Sequence, residues 1–116
     1  MSDEISRKIL FIDDETNVVS GIKRQFHKQF EIETALGGKE GLELIKSSGP
    51  FAVVVSDLRM DGMDGVTFLR HVYELTPDTV CVVLTGYADI DVAIEAVNDG
   101  RIFRFLTKPC PHDILL

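Results

Sequence analysis

Several protein classes are excluded by what the sequence has little of. It has two cysteines in 116 residues, Cys81 and Cys110, too few for a disulfide framework and without the spacing of a zinc site or a CxxC redox pair. Cys81 lies inside an apolar run and reads as a small core hydrophobe. Basic residues never cluster beyond the dipeptides Arg7-Lys8 and Lys23-Arg24, and 12 of them stand against 19 acidic residues, a formal net charge of −7. Such a chain offers no electrostatic footprint for a nucleic-acid backbone or an anionic membrane, so neither is an expected direct partner. No apolar run approaches the roughly 20 residues that span a bilayer, and the opening MSDEISRK is polar and mixed in charge, unlike a signal peptide. A cytoplasmic protein is expected. Repeats, low-complexity tracts and internal linkers are also missing, which leaves a single domain over residues 1–116.

What is present is the material of one core. Hydrophobic residues make up 45% and charged residues 27%, well away from the composition of disordered chains. Apolar runs alternate with stretches of helical period along the whole chain. Lys8 to Asp13, Glu31 to Ala35, Phe51 to Ser56, Thr79 to Leu84 and Ile102 to Leu106 read as strands. FAVVVS and TVCVVL, continuous and β-branched, fit strands covered on both faces. Between them lie helical faces carrying Val18, Val19, Ile22 and Phe26; then Leu42 and Ile45; then Val66, Leu69, Val72 and Tyr73, ended by Thr76-Pro77; then Ala93, Ile94 and Val97, stopped near Gly100. Five β/α pairs with short connections call for an α/β fold, a five-stranded parallel doubly wound sheet with helices on both faces. The fifth helix would need several turns, yet Leu116 follows Pro111 by about one turn. A truncated fifth helix, in the N-terminal part of a longer chain, is the expectation.

In such a sheet a ligand site belongs at the carboxyl ends of the strands. Strand one ends in Asp13-Asp14, strand three in Ser56-Asp57 and strand four in Thr85-Gly86, while Lys108-Pro109 follows strand five. Two carboxylates about 4 Å apart repel by roughly 4 kcal/mol at an effective dielectric near 20, so three of them call for a counter-charge. Oxygen-only ligands favour Mg²⁺, which keeps positions for water or phosphate oxygens. A site with Mg²⁺, a lysine and a hydroxyl suits a phosphoryl group, with Asp57 placed as a carboxylate nucleophile forming an acyl phosphate.

FIDDE, VVVSDLRMDGMDG, VVLTGYAD and FRFLTKP, with 43 residues from Asp14 to Asp57, 28 more to Thr85 and 23 more to Lys108, resemble the receiver domain of two-component response regulators over essentially the whole chain. The resemblance implies a flavodoxin-like strand order 2-1-3-4-5. By it, Asp57 matches the phospho-acceptor, Asp14 and the backbone carbonyl of Arg59 match direct Mg²⁺ ligands alongside Asp57, and Asp13 matches the acid that holds the metal through water. Thr85 and Lys108 match the pair that binds phosphoryl oxygens, and Phe105 matches the aromatic that turns inward as that threonine moves. Arg59 and Tyr87 stand where family members tune phosphoryl lifetime; both are bulky here, and the expectation is that they restrict the attacking water. The implied donor is a histidine kinase or a phosphotransfer protein. The implied output, a domain or a downstream protein, is reached through the face of helix four, strand five and helix five, and the resemblance also allows a phosphorylation-dependent homodimer. The chain would then be no enzyme beyond its own phosphorylation and dephosphorylation.

Two departures and two alternatives accompany this reading. The usual proline shortly after the acceptor is absent, and Asp61-Gly62 and Asp64-Gly65 make that loop acidic and flexible by composition. The stretch from Gly86 to Pro109 is also similar to receivers joined to HD-type cyclic-dinucleotide phosphohydrolases or other signalling enzymes. A phosphatase with an aspartyl nucleophile would carry a second Asp two residues on, where this chain has Arg59. A degenerate receiver serving only interaction or dimerisation would have lost part of the acid set or the lysine, and the set here is complete. The histidines His27, His71 and His112 are isolated and carry no assigned role.

Overall fold

Each of the five apolar runs becomes a parallel strand in the computed structural model, which describes residues 8–15, 17, 20, 21, 24, 31–60, 62–86, 89–98, 102 and 104–107. The described elements are β1 (Lys8–Ile12), β2 (Glu31–Ala35), α1 (Gly38–Ser48), β3 (Val53–Asp57), α2 (Gly65–Leu75), β4 (Val80–Thr85), α3 (Ile90–Asn98) and β5 (Arg104–Thr107). The strands form one sheet in the order β2-β1-β3-β4-β5, all pairs parallel. Strand order therefore reverses between β1 and β3, where a doubly wound sheet opens a crevice at its carboxyl edge.

Period-2 alternation sorts the central strands onto two faces. Leu10, Ile12, Val54, Cys81 and Val83 join Ile45 of α1, Phe68, Leu69 and Val72 of α2, and Ala93 and Ala96 of α3 in one buried cluster. Phe11, Ile32, Val55, Val82 and Leu84 form a second cluster. They too are buried, so that face is covered as well. The first predicted helix falls largely outside the described residues, although Asn17, Ser20, Gly21 and Arg24 are helical. The fifth predicted helix lies wholly outside them.

Two sequence expectations are corrected. Strand bounds shift: β3, β4 and β5 start at Val53, Val80 and Arg104 instead of Phe51, Thr79 and Ile102 and end one residue later than expected, because the hydrogen-bonded ladder continues through polar residues, Asp57 pairing with Leu84 and Thr85 with Thr107, whereas β1 ends at Ile12, one residue before Asp13. The site residues Asp57 and Thr85 are thus the last residues of strands, fixed by sheet pairing. Tyr73 and Ile94 do not join the core; both are exposed, and the small residues Ala93 and Ala96 supply the buried face of α3 instead.

Candidate functional site

The site begins where β1 stops. The Asp13 amide donates to the Ala35 carbonyl at 3.2 Å, extending the β1–β2 ladder one step. Asp13 is almost fully buried, and its Oδ1 accepts a hydrogen bond from the Glu15 amide at 3.0 Å. That bond turns the chain and leaves Asp14 exposed at the rim.

Asp57 closes β3, only 6% exposed. The next residue keeps the ladder going, since the Leu58 amide donates to the Leu84 carbonyl at 2.9 Å. The loop then returns onto itself: the Gly65 amide donates to the Leu58 carbonyl at 2.9 Å. A side chain at Gly65 would collide with the Asp57 carbonyl, so only glycine permits this return. Asp64, read from composition as part of a flexible acidic loop, is the N-cap of α2 and accepts from the Thr67 amide at 2.8 Å. Gly62 turns the loop with φ of 81°. Sequence reasoning missed the cap, although an Asp directly before an apolar helical period is its signal. Asp61 lies outside the described residues.

Thr85 ends β4, 1% exposed, with its hydroxyl donating to the Gly86 carbonyl at 3.1 Å. The Asp89 amide closes the following turn on the same Gly86 carbonyl at 3.1 Å, and α3 starts at the next residue. Across the gap between the two loops, Arg59 donates through Nε to Asp89 Oδ2 at 3.0 Å and through its terminal nitrogen to Asp89 Oδ1. The hydrogen bond and charge of Asp89 hold the guanidinium above its ordinary pKa, and Arg59 holds the Asp89 carboxyl below the ordinary carboxylate value. Sequence reasoning gave Arg59 a role and overlooked Asp89. On β5, Phe105 pairs in register with Val83 and is partly buried against the larger core cluster. Lys108 and Tyr87 lie outside the described residues.

The decisive geometry is the acid cluster. One carboxylate oxygen from each of Asp13, Asp14 and Asp57 lies within 4.8 Å of the other two, with Asp13 and Asp57 buried and Asp14 exposed. Three hard oxygen donors, two shielded and one open to solvent, fit a divalent cation of the Mg²⁺ type that retains water or phosphate oxygens. Such an ion offsets the repulsion that concentrating these charges creates.

A family model described as the response regulator receiver domain matches residues 9–116. The chain belongs to that family. A receiver domain is the phosphorylation-dependent switch of a two-component response regulator; receivers take phosphoryl groups from histidine kinases or phosphotransfer proteins and bind Mg²⁺ at an acidic pocket. Among curated proteins, this receiver is similar to the hydrogenase transcriptional regulatory protein HoxA of Cupriavidus necator, 34% identical over 116 residues, which are all of this chain and 24% of HoxA. It spans about a quarter of the length of the curated relatives it matches. Among solved structures it is similar to an adenylate cyclase from Rhodopirellula baltica (TM-score 0.90, 39% identity, 95% of this chain and 82% of that one). It is also similar to a response regulator receiver domain protein from Clostridium thermocellum (TM-score 0.86, 34% identity, 93% of this chain and 86% of that one). No helix among the described residues is long and apolar enough to cross a membrane.

Proposed function

We propose that Asp57 is the phospho-acceptor of this receiver. The observation that carries the assignment is the meeting of Asp13, Asp14 and Asp57 oxygens within 4.8 Å at the carboxyl edge of the sheet. Asp57 and Asp14, with the Arg59 backbone carbonyl, would hold Mg²⁺ directly, and Asp13 would hold it through water. When bound, the metal offsets charge on the phosphoryl oxygens.

In the reaction, an Asp57 carboxylate oxygen attacks phosphorus, forming the new O–P bond of an acyl phosphate. The N–P bond of a phosphohistidine donor breaks, and the imidazole nitrogen keeps the electron pair and takes a proton. With a small acyl phosphate as donor, the O–P bond breaks and the carboxylate leaves. Lys108 supplies a positive charge to the phosphoryl oxygens. Thr85 gives up its hydrogen bond to Gly86 and donates to a phosphoryl oxygen, and Phe105 turns inward as it does so. Arg59 and Tyr87 restrict the hydrolytic water.

The chain acts as a single receiver module in the cytoplasm, catalysing only its own phosphorylation and dephosphorylation. Its change of state is read by an output domain or downstream protein through α3, β5 and the segment after β5, or by a second copy. Transcriptional output, as in the name of HoxA, and cyclase output, as in the name of the Rhodopirellula protein, are both compatible with one receiver fold.

The test is intact mass after incubation with acetyl phosphate and Mg²⁺. One added phosphoryl group on the wild type and none on Asp57→Asn supports the assignment. Equal uptake by both proteins, or by neither, overturns it.

A further inference from the structure

The Arg59–Asp89 pair joins the two loops that border the acid cluster. Arg59 lies two residues beyond Asp57 on the loop after β3, and Asp89 immediately precedes α3 on the loop after β4. Both Asp89 carboxylate oxygens are engaged, one by Nε and one by a terminal nitrogen of Arg59, a bidentate arrangement that fixes orientation as well as distance. The Asp89 side chain is only 20% exposed, whereas that of Arg59 is 73% exposed. The arginine thus reaches across from the site's loop to a carboxylate seated at the edge of α3.

Two hydrogen bonds of 3.1 Å converge on Gly86: the Thr85 hydroxyl and the Asp89 amide both donate to its carbonyl. A Thr85 that turns to a phosphoryl oxygen must abandon Gly86, which disturbs the turn that carries Asp89. The disturbance is resisted as long as Asp89 is tied to Arg59. Arg59 also lines, with Val66 of α2 and Val92 and Ala96 of α3, the groove between those helices, so the tie crosses the seam along which α3 would shift.

We infer that the Arg59–Asp89 pair is a latch that holds Asp89, and with it the start of α3, in the resting arrangement, with Asp89 a positioning residue acting through Arg59. The inference rests on the reading of Asp57 as phospho-acceptor and adds the control of that site. Phosphorylation then has to open or drag the latch, which slows entry into the phosphorylated state. An exposed ion pair is screened by salt, so the latch weakens as ionic strength rises.

The experiment measures the rate of phosphoryl uptake from acetyl phosphate with Mg²⁺, by intact mass, for wild type, Arg59→Ala, Asp89→Ala and the double variant. Each variant takes up the group about threefold faster than wild type at low salt, the scale of an exposed bidentate pair. The double variant is no faster than either single one, because one interaction is removed in all three. Raising NaCl to about 0.5 M speeds wild type toward the variants. Asp89→Asn, which keeps the shape and loses the charge, shifts the rate the same way and serves if Asp89→Ala fails to fold. Wild-type rates in the Asp89 variants, or single effects that multiply in the double, overturn the latch alone. A wild type that takes up no phosphoryl group overturns the acceptor reading, and the latch with it.

Discussion

Gly65 packs directly against the backbone of Asp57: a Cβ built on it would overlap the Asp57 carbonyl oxygen, and the Leu58 Cα would stand 3.0 Å away. The close approach fixes where α2 starts and where β3, which Asp57 closes, ends. Gly65→Ala must push the two apart. Overpacking of this kind costs about 1–3 kcal/mol, a drop of several degrees in Tm. Gly62 is the control. It has a positive φ of 81° and open space, with nothing within 4 Å, where a Cβ would stand, so Gly62→Asn, which tolerates that backbone, changes Tm little. Thermal unfolding of both variants checks the contrast.

The acid cluster predicts that Mg²⁺ stabilises the fold by binding the native state only. At a hundredfold excess over Kd the gain is about 2.7 kcal/mol, again several degrees of Tm. Asp13→Asn and Asp14→Asn each remove a charge from a cluster whose oxygens lie within 4.8 Å, and each should cut the Mg²⁺-induced rise to a small fraction. Calorimetric scans with and without Mg²⁺, with EDTA as the metal-free reference, decide the matter.

Cys81 supplies a pH dependence of known sign. Burial pushes its thiol up to about 11, and its sulfur is 3.8–3.9 Å from the Thr79 and Leu69 carbonyls. The folded state therefore holds the thiol proton more tightly than the unfolded chain, whose cysteine titrates near 8.5. Stability from this group is fully present below about 8.5 and declines as pH rises toward about 11, by about 3 kcal/mol in all. Urea midpoints at pH 8 and pH 10, compared between wild type and Cys81→Ala, isolate the contribution. In the native protein at neutral pH the peptide containing Cys81 stays unmodified by iodoacetamide, because the thiol is 1% exposed.

Much of the site could be read from the chain because parallel sheets bring their carboxyl ends together. Asp13, Asp14 and Asp57 needed only strand assignment to be placed in one pocket, and β-branched runs such as Val53–Val55 made that assignment strong. Strand ends were less legible. Asp57 pairs with Leu84, and Thr85 with Thr107, through backbone groups that carry no side-chain signal, so an apolar pattern stops short of them. Ile94 misled because helical spacing alone does not say which edge of an apolar stripe meets the sheet; Ala93 and Ala96 allow the closer approach. Arg59 and Asp89 are 30 positions apart and individually ordinary, and only the adjacency of β3 and β4 makes them neighbours. The cap at Asp64 was hidden by the glycine beside it, which made the segment look like open loop.

The most direct test of the central claim is to locate the phosphoryl group chemically. Borohydride reduces an acyl phosphate to the alcohol, converting the modified aspartate to homoserine, which peptide sequencing by mass spectrometry assigns to a position. After acetyl phosphate and Mg²⁺, homoserine is expected at position 57 alone, and at none when EDTA replaces the metal. Homoserine at Asp13 or Asp14, or none at any position despite added phosphoryl mass, would contradict the assignment of Asp57.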